Sequence, residues 1–362
     1  MNLKSKNLIL IIGNGFDLAH RFKTSYNDFA KFIIEKKIAK TIIESEYQTY
    51  SESLVKKGFI AEVKNNSIYN DRGNFIQRVT SHKINKNYEG MSDTMQSFSS
   101  TIKQIINNDF LGKLFDDKYD NWFDIENAYF QEIIQIENKI TRSLPKKEEI
   151  KKLNKDLIEI KEYLFEYLKS IPTEKNHKVN RFFQSDSFKS IENLYIINFN
   201  YTLTIENYFE NDFQNTKINY IHGDIDSKDI IFGYGNDKDP NYKKIKESGE
   251  NEYLRFFKTF EYLRNKKYVD IYDNALEYFE DYDVSILGHS LSQTDKTLLK
   301  EVLDNPKCNR IHLHKRKDLE YQEKEMMEEF NTLIYSVSRI IDNEKDLRTK
   351  VLNYEDSVLF PK

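Results

Sequence analysis

One cysteine, Cys308, stands in 362 residues. It excludes an internal disulfide and any zinc module built on several cysteines, and it suits a reducing compartment. No apolar run approaches the roughly 18 residues of a membrane span. The first such run, residues 8–12, is five long, short of the roughly seven of a signal-peptide core. A Gly-Asn-Gly-Phe-Asp stretch follows it where a small-residue cleavage site would stand. Charged residues reach 31% but the net charge is only −4, so there is no basic excess to draw nucleic acid or an anionic membrane. The chain carries no internal repeat and no low-complexity tract. The expectation is a soluble cytoplasmic protein with no membrane partner and with nucleic acid not indicated.

What is present begins with placement. Only 11 glycines and 5 prolines occur. Six of the glycines (Gly13, Gly15, Gly223, Gly233, Gly235 and Gly288) follow apolar runs. Residues 8–12 read as a short, β-branched buried strand closed by glycine. Further strands are predicted at 193–200, 217–223, 229–237, 283–290 and 309–314, with helical patterns at 251–281 and 293–304 between some of them. Strand–helix alternation of this kind predicts an α/β fold, a Rossmann-like, mainly parallel sheet covered by helices. The first strand joins that sheet from far away in sequence, so the stretch between is an insertion.

A helix is predicted from about 26 to 37, and weakly patterned helices and loops from 40 to 120. Trp122, Ile125, Tyr129, Ile133, Ile136 and Ile140 then step by three and four residues. After "SLPKK", Ile150, Leu153, Leu157, Ile160, Leu164 and Leu168 repeat the stepping. Two amphipathic helices and a short turn make an αα-hairpin at about 122–170. The charges of "KKEEIKKLNKDLIEIKE" read as the solvated face of the second helix, with a partner-binding coiled coil as the alternative. The expected organisation is a core of 1–40 and 190–320, a mainly helical insertion at 41–189, and a C-terminal helix and tail at 321–362.

In open parallel sheets ligands bind beyond the carboxyl ends of the strands, where every unusual segment here is predicted to lie. Gly13 and Gly15 allow a tight turn and close approach of backbone to a pyrophosphate, or simply a strand-to-helix turn, since Leu18 stands where a dinucleotide fingerprint has its third glycine. Asp17 suits a ribose hydroxyl or the cap of the next helix. His222 is a structural turn histidine or a general base near neutral pH. Asn198 and Asn200, flanking Phe199, are turn residues or ligand contacts. Ser290 caps the helix beginning near Thr294 or donates to a ribose or phosphate. His289, His312 and His314 bring a metal to mind, with His312 and His314 on one face of a strand. No histidine–carboxylate set has a recognisable spacing, so no metal is expected.

Taken in order, "IIGNGFDLAHRFKTSYNDF", "NFNYT", "IHG…IIFGYGND" and "ILGHSLSQTD" resemble the bacteriophage abortive-infection AbiH family over the first forty residues and about 190–315. "NWFDIENAYF", with Asp124 and Glu126, is a further candidate element. More distantly, the same order is similar to sirtuin-like NAD-binding domains. That resemblance implies NAD contacts from Gly13, Asn14, Gly15, Phe16 and Asp17. It implies Asn200, beside Asn198, at the nicotinamide ribose, positioning water. It places His222 and Gly223 at the ribose hydroxyls and Gly288, His289 and Ser290 on the adenosine side. Two departures stand out. The four-cysteine zinc module of sirtuin deacetylases is absent, and Thr202 replaces an aspartate, for which Asp17, Asp224 or Glu126 are the candidate substitutes.

The resemblance implies an antiphage NAD+ hydrolase that cleaves the nicotinamide–ribose bond, with Asn200 and His222 catalytic and NAD+ as substrate. The alternative is a non-catalytic module that senses NAD or ADP-ribose. A metal-dependent nuclease would need an acidic ligand set that the sequence does not display. Such a hydrolase needs a brake: homo-oligomerisation, occlusion by the 40–190 segment, or release by a phage-derived trigger.

Overall fold

The computed structural model of the chain describes residues 3–33, 36, 108–116, 122–139, 144–172, 174–209, 215–316 and 323–361. Most of the weakly patterned 40–120 stretch lies outside them. The chain divides into two compact units, one of residues 1–24 with 168–362 and one of residues 25–167.

The first unit is built on five parallel strands: β1 (Asn7–Ile12), β2 (Asn193–Asn198), β3 (Thr216–Tyr220), β4 (Tyr282–Leu287) and β5 (Cys308–His312). They lie in the order β3-β2-β1-β4-β5. β1 is central, with Leu8 in register with Leu194 on one side and Asp283 on the other. Its apolar residues are wholly buried, as a strand covered on both faces requires. Side chains alternate between two cores. Ile9, Ile11, Ile197, Val284 and Ile286 pack with Leu299 and Val302 of helix Lys296–Leu303 and with Phe330 and Val337 of helix Glu323–Ser338. Leu8, Leu10, Ile12 and Ile196 pack with Phe16, Val179, Phe183 and Phe188 on the other face. This is the α/β Rossmann-like architecture that the strand–helix alternation predicts. The order reverses at β1, which sets the β1–β4 loop pair and its neighbours where such folds bind ligands.

The strand expected at 229–237 does not form in the sheet. After β3 the chain crosses the strand ends instead, with Ile230, Ile231, Phe232 and Tyr234 buried. Its backbone groups find partners there. Ile231 donates to the carbonyl of His222 at 2.8 Å, and Tyr234 pairs in a single bridge with Phe257. An apolar run looks the same whether it extends a sheet or caps one. The helical pattern at 251–281 is likewise broken, into turns of helix at Asn251–Leu254, Lys258–Tyr262 and Lys267–Ile271 and a π turn at Tyr272–Leu276.

In the second unit, residues 26–33 are helical. Helices Trp122–Asn138 and Lys146–Lys169 flank the proline turn. Ile125, Tyr129, Ile133 and Ile136 are buried, as are Ile150, Leu153, Leu157, Ile160 and Leu164, which is the amphipathic hairpin of the sequence pattern. Lys139–Glu149 (3.1 Å) and Lys146–Glu137 (2.8 Å) pair across its turn. Two polar residues of the second helix are buried. Asn154 accepts from the Tyr129 hydroxyl at 2.5 Å, and Asp156 accepts from the backbone N–H of Phe110 at 3.1 Å.

Candidate functional site

The loops at the carboxyl ends of β1 and β4 are packed backbone against backbone. Gly13 donates to the carbonyl of Leu287 at 3.0 Å and Gly15 to that of Gly288 at 2.8 Å. A Cβ on Gly13 would lie 2.5 Å from Cα of His289, and one on Gly288 would lie 2.2 Å from the nitrogen of Phe16. Gly288 also has φ +75°, a region that L side chains seldom enter. What sits against the twice-bared backbone of Gly-Asn-Gly on its Cβ side is therefore the Gly288–His289 loop.

The end of β2 fastens onto this pair. The Asn200 amide donates to the carbonyl of Gly13 at 3.1 Å, while Asn198 accepts from the backbone N–H of Asn200 at 3.0 Å. The Thr202 hydroxyl donates to the Asp17 carboxylate at 2.6 Å, and Thr204 donates to Thr202 at 3.1 Å. Asp17 is buried. Burial raises its pKa to about 6, against the lowering effect of hydrogen bonds from Thr202, Thr204 and Asn200. The Thr202 hydroxyl thus meets a carboxylate brought by the first helix, Asn14–Ala19. Of the other candidate substitutes, Asp224 is occupied in a turn, accepting from the N–H groups of Asp226 and Ser227. Glu126 belongs to the second unit.

The ends of β3 and β4 meet in a buried charged cluster centred on Asp295. Its Oδ1 lies 2.7 Å from Nζ of Lys258 and 3.3 Å from Nε2 of His222. Its Oδ2 accepts from the Ser292 hydroxyl at 3.2 Å and lies 3.6 Å from Nε2 of His289. Lys258 is only 1% exposed. It is held there because its backbone N–H donates to the carbonyl of Tyr234, at 2.9 Å, in the Gly-Tyr-Gly-Asn segment. Burial would raise the Asp295 carboxyl, but the Lys258 charge and the two histidines hold it well below the usual carboxylate range. Burial and the Lys258 charge push His222 down to about 4, with Asp295 opposing. The Phe199 ring packs against both imidazoles, its centroid 5.0 Å from His222 and 4.2 Å from His289. Beside them, the Tyr262 hydroxyl is 3.1 Å from Nε2 of His222.

Gly13, Gly15, Asp17, Asn198, Asn200, Gly288 and His289 are thus in one connected region, and His222 joins it through Phe199. Gly223 makes the turn after His222 at φ +84°, where a Cβ would meet the carbonyl oxygen of Asp229 at 1.4 Å. Three candidates sit differently. The Phe16 side chain is in the core, against Phe183 and Tyr208, so only its backbone faces the loop. The Asn14 amide donates to the carbonyl of Thr24 at 3.1 Å. Ser290 is exposed, and the inward hydroxyls are those of Ser292 and Thr294, 2.9 Å apart. Asp295 lay in the "SQTD" of a recognised motif as its one acid, which was the signal available for it. Nothing in the sequence separates Lys258 from its many exposed counterparts.

His312 and His314 do share one face. His314 Nε2 lies 2.9 Å from the Ser285 hydroxyl, and His312 Nε2 lies 3.7 Å from Asp283. Among the described residues no group of three or more His, Cys, Asp or Glu side chains is arranged to hold a metal ion. Among them also, no helix is long and apolar enough to cross a membrane.

No curated protein and no solved structure matches the chain. The family model described as bacteriophage abortive infection AbiH matches residues 9–315. That span opens in β1, takes in every strand-end segment described above and closes just past β5. The chain therefore belongs to the AbiH family, whose role is in bacteriophage abortive infection.

Proposed function

We propose that this AbiH protein acts in abortive infection by hydrolysing NAD+ at the nicotinamide–ribose bond. The observation that carries the reading is the convergence of Asn200, Asp17, His222 and His289 on the loops at the carboxyl end of a parallel sheet, the end at which such sheets bind nucleotides. The chemistry asks little of the protein. The C1′–N bond breaks with its electron pair going to the pyridinium nitrogen, so nicotinamide leaves neutral and needs no proton. Water forms the new C1′–O bond and gives up one proton. Asn200, anchored by its amide to Gly13, has its carbonyl oxygen left to orient that water. His222 is neutral at pH 7 and takes the proton. Asp17, which accepts from the Thr202 hydroxyl, is the carboxyl group that we assign to the nicotinamide amide.

The test is purified protein incubated with NAD+, with nicotinamide followed by chromatography. Release by the wild type is expected, falling by about 10²–10⁴-fold in His222→Ala and Asn200→Ala, the usual contribution of a positioned acid–base group. A silent wild type would end the hydrolase reading. The second reading, a sensor of NAD or ADP-ribose, is favoured by the burial of the same side chains and by Thr202 in place of an acid. Calorimetric binding of either nucleotide without turnover would select it.

A further inference from the structure

Asp295 has an arrangement that a purely structural ion pair does not need. Each of its two oxygens faces one imidazole, in each case through Nε2. His289 has its other nitrogen committed, since Nδ1 accepts from the backbone N–H of Leu291 at 2.9 Å. A neutral His289 therefore carries its proton on Nε2, towards Asp295. His222 has Nε2 placed between Asp295 and Tyr262, and its Nδ1 has no hydrogen-bond partner among the described residues. A carboxylate can only accept, and Lys258 keeps this one charged. We propose that the Lys258–Asp295 pair is a positioning device that fixes His222 as the Nε2–H tautomer, leaving Nδ1 as the atom that accepts a proton at the site. This deepens the hydrolase reading and rests on it for the identity of the proton donor, but the tautomer itself does not depend on the substrate.

The groups facing His222 are Asp295, Lys258, His289, Tyr262 and, ring to ring at 6.5 Å, Tyr201. Tyr262 is the competitor. If its hydroxyl donated to Nε2, the proton would sit on Nδ1 and the assignment would reverse.

The experiment is long-range proton–nitrogen NMR on the full chain labelled at histidine, with His222→Gln identifying the resonance. At pH 7.5 the wild type should show a protonated Nε2 and a bare Nδ1. In Lys258→Met the midpoint of His222 should rise from about 4 towards the ordinary value of about 6.5. The double variant Lys258→Met/Asp295→Leu, which replaces a buried pair by apolar residues and so is compatible with folding, should show both tautomers. If NAD+ is hydrolysed, the same variant should lose kcat by about 10²-fold with KM little changed. A wild-type Nδ1–H tautomer, or a midpoint unmoved in Lys258→Met, overturns the proposal. A silent NAD+ incubation with the Nε2–H signal intact overturns the hydrolase reading and leaves the tautomer standing.

Discussion

Gly15 donates its backbone N–H to the carbonyl of Gly288 at 2.8 Å, so the loops after β1 and β4 are locked together at the point where the strand order reverses. The contact tolerates no side chain on Gly288, whose φ is +75° and whose Cβ would meet Phe16 nitrogen at 2.2 Å. Gly288→Ala is expected to cost about 2 kcal/mol or more, from left-handed backbone strain and the clash together. Thermal or urea unfolding measures it. A variant as stable as the wild type would show that the loops separate freely.

The acid side of the stability curve should fall. His222 and His314 are held at about 4 and about 3, chiefly by burial. In the unfolded chain both take a proton near 6.5. Below that pH the unfolded state binds protons that the native state refuses, so stability drops until the pH nears the folded values. Asp295, held low, acts in the same direction further down. Asp17 acts oppositely, because its raised pKa lets the native state keep a proton between about 3.8 and 6. Two histidines outweigh one carboxyl, so the midpoint of thermal unfolding should be flat from about pH 7 to 8 and decline below about 6.5. A midpoint that climbs on acidification would refute this balance.

Thr202→Val removes the hydroxyl from the Asp17 carboxylate while keeping the shape. A buried hydrogen bond to a charged group is worth about 1.5–3 kcal/mol, and its loss should also raise the Asp17 pKa further. Carbon-detected NMR titration of the aspartate carboxyls follows the second effect, and unfolding the first.

Tyr129→Phe tests the buried polar contact of the helical hairpin. Removing the hydroxyl that Asn154 accepts from should cost about 1–2 kcal/mol, seen as lost hydrogen-exchange protection in helices Trp122–Asn138 and Lys146–Lys169.

Much of this was legible beforehand where local physics decides. The runs that became β1, β2, β4 and β5 are short and end at glycine, asparagine or histidine. Ile125 to Ile136 and Ile150 to Leu164 carry a helical period that burial then respects. What escaped depends on contacts remote in sequence. Lys258 sits in "FFKTFEYLRNKK", where a lysine looks solvated, and only tertiary packing encloses it beside Asp295, 37 residues away. The pairing of Thr202 with Asp17 spans 185 residues and leaves no periodic trace. The 229–237 run misled because apolar residues crossing strand ends are as buried as those within a sheet.

The centrality of β1 has a consequence for biosynthesis. Asn7 at its start bonds to the carbonyl of Asp281, 274 residues later, and β4 beside it closes the candidate site. On a ribosome adding about 5–20 residues per second, the earliest strand waits roughly 15–55 s before its second neighbour exists. Until then the glycine loop has no Gly288 to rest on and His222 has no Asp295. A truncated or nascent chain therefore lacks the contacts that hold the glycine loop and His222 in place, which suits a protein whose proposed activity would consume a nucleotide that its own cell needs.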